Sequence, residues 1–274
     1  MTETVLYPLP QSPVGPATTQ SNRERAARVA RPASIENSLL AALPRKEHQR
    51  LLARLEPVKL TFGEVLYEPG KTIRHVYFPG TSLVSLLTLA DGHLALETGL
   101  LGRDGMVGIP LVLGHDESSV RALVQGTGTA MRMASAHFRE EFQLSLPLQQ
   151  ALYRYTHTLM AQISQTAACN RFHVLEMRLA RWLLMTHDRV KSERFRMTHE
   201  FLGHMLGVRR VGVTKAAQAL QTRRLIHYSR GDITILDRAG LQAAACECYE
   251  VVKDMRDGVA AVQATRGMPI PAEA

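Results

Sequence analysis

Hydrophobic and polar positions change rhythm three times along the chain. From Ser34 to about Glu56, Ile35, Leu39, Leu40, Leu43, Leu51, Leu52 and Leu55 recur at helical spacing, with Pro44 marking a break. From Pro57 to about Met133 the pattern becomes short apolar or alternating runs: Val58–Leu60, Val65–Tyr67, His75–Phe78, Ser82–Leu89, Leu94–Leu100, Met106–Leu113, Val120–Gln125 and Ala130–Met133. Glycine turns separate them, among them Gly63, Gly70, Pro79-Gly80, Asp91-Gly92, Asp104-Gly105 and Gly126. Many short strands at close spacing predict an antiparallel, jelly-roll-like β-roll. No helix-length segment interrupts them, which argues against a parallel α/β sheet.

After Ser135, read as the cap of a short helix, the pattern turns helical again. A long amphipathic helix follows Pro147 and runs to about Cys169. Leu148, Leu152, Tyr155, Leu159 and Ile163 recur along it at spacings of three and four. That spacing suits the seam of a two-stranded coiled coil, and equally a face packed on the protein's own roll. The dimer seam is the favoured reading, because recognition of two half-sites wants two-fold symmetry. A further helix is expected from Val174 to about Asp188, then a basic loop over Lys191–Arg196.

The stretch from Met197 to Ile235 carries the most information. Thr198 can cap a helix whose apolar face is Phe201, Leu202, Met205 and Leu206. Gly207 can take the left-handed conformation that ends it. A second helix, about Arg209 to Gln221, turns Val213, Ala216, Ala217 and Leu220 inward and leaves Arg209, Arg210, Val211, Thr214, Lys215 and Gln218 outside. Two β-prone runs, Leu225–Tyr228 and Ile233–Leu236, flank a turn that contains Arg230 and Gly231. This is the order of a winged helix-turn-helix. The expected architecture is α+β: an arm over residues 1–33, the roll over 34–146, the long dimerisation helix over 147–170, the winged domain over 171–250 and a tail over 251–274.

Charge sharpens this reading. The net charge is +8 and the isoelectric point about 9.7. Residues 171 to 230 hold 13 Lys and Arg against 4 Asp and Glu, leaving the rest close to neutral. The basic excess belongs to the helix-turn-helix and the segment before it, as binding to double-stranded DNA requires. No membrane-length apolar run or leader pattern is present, and three cysteines fit a reducing cytoplasm.

The sequence "LGVRRVGVTKAAQALQTRRLIHYSRGDITI", with "FGEVLYEPG" and "GRDGMVG" as turns of the roll, resembles the Crp/Fnr family of bacterial transcription regulators over roughly Ile35 to Tyr249. The resemblance implies a cytoplasmic homodimer reading a near-palindromic operator, with RNA polymerase as a further partner and a roll that either senses a small-molecule effector or serves as a scaffold. It puts Arg210 at the position of a guanine-reading arginine, Lys215 at a second basic contact, and Thr198 where the first helix touches phosphate. Arg230 would reach the backbone from the wing. Val211 stands where members reading the best-known site carry glutamate, so a different operator is expected. Arg209 replaces the usual Ser or Thr cap.

The nucleotide-binding pattern is broken. Ile109 stands at the position of the ribose-binding glutamate, and Arg121, followed by Ala122, is out of register with the phosphate-binding arginine. The effector is therefore unknown, and not expected to be a cyclic nucleotide. No cofactor or metal is expected: Cys246 and Cys248 form a Cys-x-Cys pair with only Cys169 besides, the histidines show no ligand spacing, and ordinary semi-buried thiols are the reading preferred. No phosphate loop or nucleophile elbow is present, so catalysis is not expected. The rival readings are a ligand-sensing or protein-interaction module whose helix-turn-helix has no DNA affinity, and, remotely, a cupin-like metal enzyme.

Overall fold

The computed structural model describes residues 37–90, 94–190 and 194–266. The expected arm, the caps and turns at Ser34 and Asp91-Gly92, and the end of the expected tail lie outside them.

Two short helices, α1 (Ser38–Ala41) and α2 (Arg45–Leu52), open the fold, with Pro44 as the N-cap of α2. The roll follows as β1 (Glu56–Leu60), β2 (Val65–Tyr67), β3 (His75–Pro79), β4 (Leu83–Ala90), β5 (Leu94–Leu101), β6 (Arg121–Gly126) and β7 (Gly128–Ala134). All pairings are antiparallel, in two sheets ordered β1-β7-β3 and β2-β6-β4-β5. Inward residues of both sheets, such as Phe78, Val84, Val124 and Met133, share one core with Leu40 and Leu51 of the opening helices. The jelly-roll-like α+β expectation holds. One run differs: over Met106–Leu113, Pro110 and the left-handed Gly108 favour a 3₁₀ turn (Ile109–Leu113) where a strand was expected.

Ser135 is the first residue of α3 (Ser135–Leu144) rather than its cap; the N-cap is Ala134, which makes no side-chain hydrogen bond. Ser145 caps α4 (Leu146–Phe172) by accepting from the Leu148 amide. This long helix corrects the sequence reading. Leu148, Leu152, Tyr155 and Leu159 lie buried in the core of the protein's own roll, and Ile163 packs against that core. Three-four spacing specifies an apolar stripe, not its partner, and here the roll is the partner. The outward stripe is a different one: Leu146, Gln150, Tyr153, His157, Met160, Ser164, Ala167 and Arg171, again at spacings of four and three.

The C-terminal half is helical around a small sheet: α5 (Leu175–Val190), β8 (Arg194–Arg196), α6 (His199–Leu206), α7 (Arg210–Thr222), β9 (Ile226–Ser229), β10 (Asp232–Ile235), α8 (Arg238–Ala244) and α9 (Cys248–Arg266). The sheet order is β8-β10-β9, so the end of the expected basic loop is a strand that widens the wing. Helix α9 occupies much of the stretch expected as a tail and packs along α4. A second core joins α5 to α8 and also takes in Leu87 and Leu100 of the roll. Among the described residues, no helix is long and apolar enough to cross a membrane.

Candidate nucleic-acid interface

The turn of the helix-turn-helix is built as its residues require. Thr198 Oγ1 accepts from the Phe201 amide at 3.1 Å and caps α6. Gly207 ends that helix at φ +62°, where a side chain would be strained. Arg178, buried on α5, donates to the Leu206 carbonyl, placing a cation at the negative end of α6. The chain then enters α7 through Arg209, which makes no capping bond. Val213, Ala216, Ala217 and Leu220 of α7 are buried against α5 and α6.

The opposite face of α7 is open. Arg209, Arg210, Val211, Thr214, Lys215 and Gln218 are all exposed, and Val211 keeps 66 % of its surface in solvent. Thr198 is also exposed, beside the wing: the Met197 amide donates to the Gly231 carbonyl at 2.7 Å. The wing turn puts Arg230 and Gly231 at φ +51° and +88°. Positive φ at both central residues suits the twist of a two-residue hairpin, and here the first is an exposed arginine. Thr198, the outer face of α7 and Arg230 thus form one basic surface.

Three residues that support this surface were missed from sequence. The ring of His199 stacks on Tyr228 at 4.0 Å between centroids. Its Nδ1 lies 3.0 Å from Thr214 Oγ1, whose own hydrogen goes to the Arg210 carbonyl at 3.0 Å, so Nδ1–H is the donor. Burial, and then the neighbouring Arg210 charge, hold the His199 pKa below its ordinary value. Gln221 Oε1 accepts from the Tyr228 amide at 2.7 Å, tying α7 to the wing. The sequence signal was weak: a His one residue after the cap, an aromatic residue in the wing, and an amide near the end of the recognition helix.

A second polar cluster couples the winged domain to the roll. Trp182 Nε1–H on α5 donates to Glu97 Oε1 at 2.9 Å. Ser85 Oγ lies 2.7 Å from Glu97 Oε2 and 2.5 Å from Gln125 Oε1, two acceptors for one hydroxyl hydrogen. A proton on Glu97, or the reversed orientation of the Gln125 amide whose Nε2 has no partner, resolves that conflict, and burial raises the Glu97 pKa to about 7.

The residues weighed for a cyclic nucleotide are engaged elsewhere. Ile109 is buried in the core of the roll, and Arg121 Nε donates to Glu68 Oε2 at 2.8 Å. A cavity of about 50 Å³ between the roll and α4, lined by Tyr155, Gln162, Asp104 and Arg189, has room for a few water molecules only.

The cysteines do not behave as scattered thiols. Cys169, His173, Cys246 and Cys248 come together where α4, α5 and α9 meet. In sequence they are a Cys-x₃-His and a Cys-x-Cys that only the tertiary fold brings together.

Residues 177–244 match the family of the Crp-like helix-turn-helix domain. A transcriptional regulator of the Crp/Fnr family from Eubacterium rectale superimposes with a TM-score of 0.60 at 17 % identity, over 75 % of this chain and 96 % of that one. FixK2 from Bradyrhizobium japonicum gives 0.61 at 14 %, over 70 % and 98 %. A CRP-family regulator from Thermus thermophilus gives 0.58 at 17 %, over 69 % and 96 %. These similarities establish the fold, and with the domain match they bear out the Crp/Fnr resemblance. None of the curated proteins matches the sequence. A Crp-like helix-turn-helix match on this fold supports a DNA-binding transcription regulator.

Proposed function

We propose that the chain is a homodimeric, sequence-specific regulator that reads a near-palindromic operator through α7. The observation that carries this is the face of α7: six outward residues, three of them cationic, on a helix whose other side is fully committed to the core. Arg210 offers two parallel donors to the O6 and N7 acceptors of one guanine. Val211 offers only apolar contact, suited to a thymine methyl, where a glutamate would accept from cytosine. Lys215, Thr214 and Gln218 follow along the groove. Thr198, Arg209 and Arg230 serve phosphates, which fix register without reading sequence.

The second copy docks on the outward stripe of α4. Leu146, Tyr153 and Met160 are 63 %, 52 % and 62 % exposed on that stripe, an apolar row without cover in the protomer. Tyr153→Asp or Met160→Asp should then yield a monomer in sedimentation with the fold intact. A dimer of wild-type stability in both variants contradicts that seam. The effector is read as something other than a cyclic nucleotide, since Ile109 offers no ribose acceptor and Arg121 is already paired with Glu68.

Selection of bound sequences from random duplex DNA, without added ligand, tests the reading as a whole. A two-fold symmetric site with a fixed guanine in each half is the expected outcome. Failure to enrich any site, both alone and with added cyclic nucleotides, overturns it.

A further inference from the structure

The joint between the long helix and the winged domain carries a second chemistry. Cys169 is in the last turn of α4, and His173 is the residue at its C-cap, whose amide donates to the Cys169 carbonyl at 3.1 Å. That spacing brings the thiol and the imidazole to one side of the helix end. Cys246 and Cys248 sit at the junction of α8 and α9, where the Tyr249 amide donates to the Cys246 carbonyl at 3.0 Å and curls the chain. One ligand atom from each of the four residues lies within 4.8 Å of all the others.

The separations suit a single small cation. Cys169 Sγ and Cys246 Sγ are 3.5 Å apart, and Cys248 Sγ and His173 Nδ1 are 3.4 Å apart. Zinc–sulfur bonds of ~2.3 Å and zinc–nitrogen bonds of ~2.0–2.1 Å in a tetrahedron place ligand sulfurs about 3.8 Å apart and sulfur and nitrogen about 3.5 Å apart. A multi-iron cluster would hold its ligand atoms much farther apart than this. We infer that Cys169, His173, Cys246 and Cys248 form a closed tetrahedral site for one divalent zinc ion.

The surroundings are those of a ligand set. All three cysteines are at most 2 % exposed. Gln165 Nε2 donates to Cys248 Sγ at 3.0 Å, a contact that favours thiolate. His173 points Nδ1 at the sulfurs and sets Nε2 3.1 Å from Glu247 Oε1, so a carboxylate orients the ring as it does for many metal-bound histidines. Zinc binding displaces three thiol protons and leaves three thiolates and one dication, a net charge of −1. The buried guanidinium groups of Arg178 and Arg181 on α5 lie within electrostatic reach of Cys169 and supply positive charge opposite it; each keeps an Nε without a hydrogen-bond partner. The site clasps the end of α4 to the start of α9, across 77 residues of sequence, and so fixes how the winged domain hangs from the long helix.

Elemental analysis of the full chain, purified under reducing conditions without chelator or metal-affinity resin, tests the inference without any DNA. About one zinc per chain is expected. Stripped protein titrated with cobalt(II) should develop the visible bands of a tetrahedral ion and a thiolate charge-transfer band, both abolished by added zinc. Cys246→Ser should lose the stoichiometric metal. Glu247→Gln, a milder change that leaves every ligand in place, should bind about tenfold to 100-fold more weakly with unchanged circular dichroism. A chain that carries no zinc and gives no thiolate–cobalt band, or one joined by a Cys169–Cys246 disulfide, overturns the inference. So does a Cys246→Ser protein with the wild-type zinc content.

Discussion

Two sets of arginines in the C-terminal half look alike in sequence and do opposite work. Arg209, Arg210 and Arg230 are exposed, with Lys215, on one outer surface. Arg178, Arg181 and Arg189 of α5 are buried, with at most 8 % of their surface exposed. Arg189 bridges to Asp104 of the roll at 3.1 Å and donates to Gln162 of α4 at 3.3 Å. Arg178 closes the end of α6. The basic excess that first suggested nucleic acid is thus partly internal. What singles out the set proposed to face DNA is its exposure, together with its placement on and beside a helix that buries its other side.

Substitutions can break that division. Arg189→Ala leaves Asp104 half-buried without its partner, and should cost about 3–5 kcal/mol of stability in urea unfolding. Its duplex affinity per folded dimer should stay close to wild type. A variant as stable as the parent would move Arg189 out of the structural set.

Glu97 tests the coupling between roll and winged domain. Its folded pKa, raised to about 7 by burial, exceeds the unfolded value. Between the two, the folded chain holds a proton that the unfolded chain has released. Stability therefore falls as pH rises from the usual carboxylate range to about 7, and the full penalty persists above it. Glu97→Gln keeps an acceptor for Trp182 and removes this limb. It should be more stable than wild type at pH 8, by up to about 3 kcal/mol at ~1.36 kcal/mol per pH unit, and nearly equal to it at low pH. A larger deficit at pH 8 than at pH 5 would contradict the protonated assignment.

The smallest effect is at the edge of the exposed set. Thr198→Ala loses the cap of α6, worth about 1 kcal/mol in thermal or urea unfolding. Because Thr198 also faces phosphate in the proposed complex, the same variant should weaken all duplexes alike. A change in sequence preference would assign it a reading role instead.

The winged domain was legible because its signals are local: a cap, a glycine stop, a 3.6-residue stripe and a turn chemistry, each set by neighbours in sequence. The roll was legible for a similar reason, through glycine punctuation between alternating runs. What escaped depends on partners far along the chain. Strand β8 (Arg194–Arg196) exists because β10 is there to pair with it. The inner face of α4 reads as a dimer seam until the roll is seen to cover it, while the outer stripe hides its apolar residues among Gln150, His157 and Ser164. Three of the four members of the Cys–His cluster were noticed as thiols, but nothing local says that residues 169 and 246 meet.

The central claim is that the outer face of α7 reads bases while its inner face only holds the helix. Base-by-base competition on the selected operator, comparing wild type with Arg210→Ala, tests it most directly. The account predicts that discrimination at one guanine in each half-site falls by about 1–3 kcal/mol, with the other positions and the unfolding midpoint unchanged. Unaltered discrimination at every position, or a loss spread evenly over all of them, would contradict it.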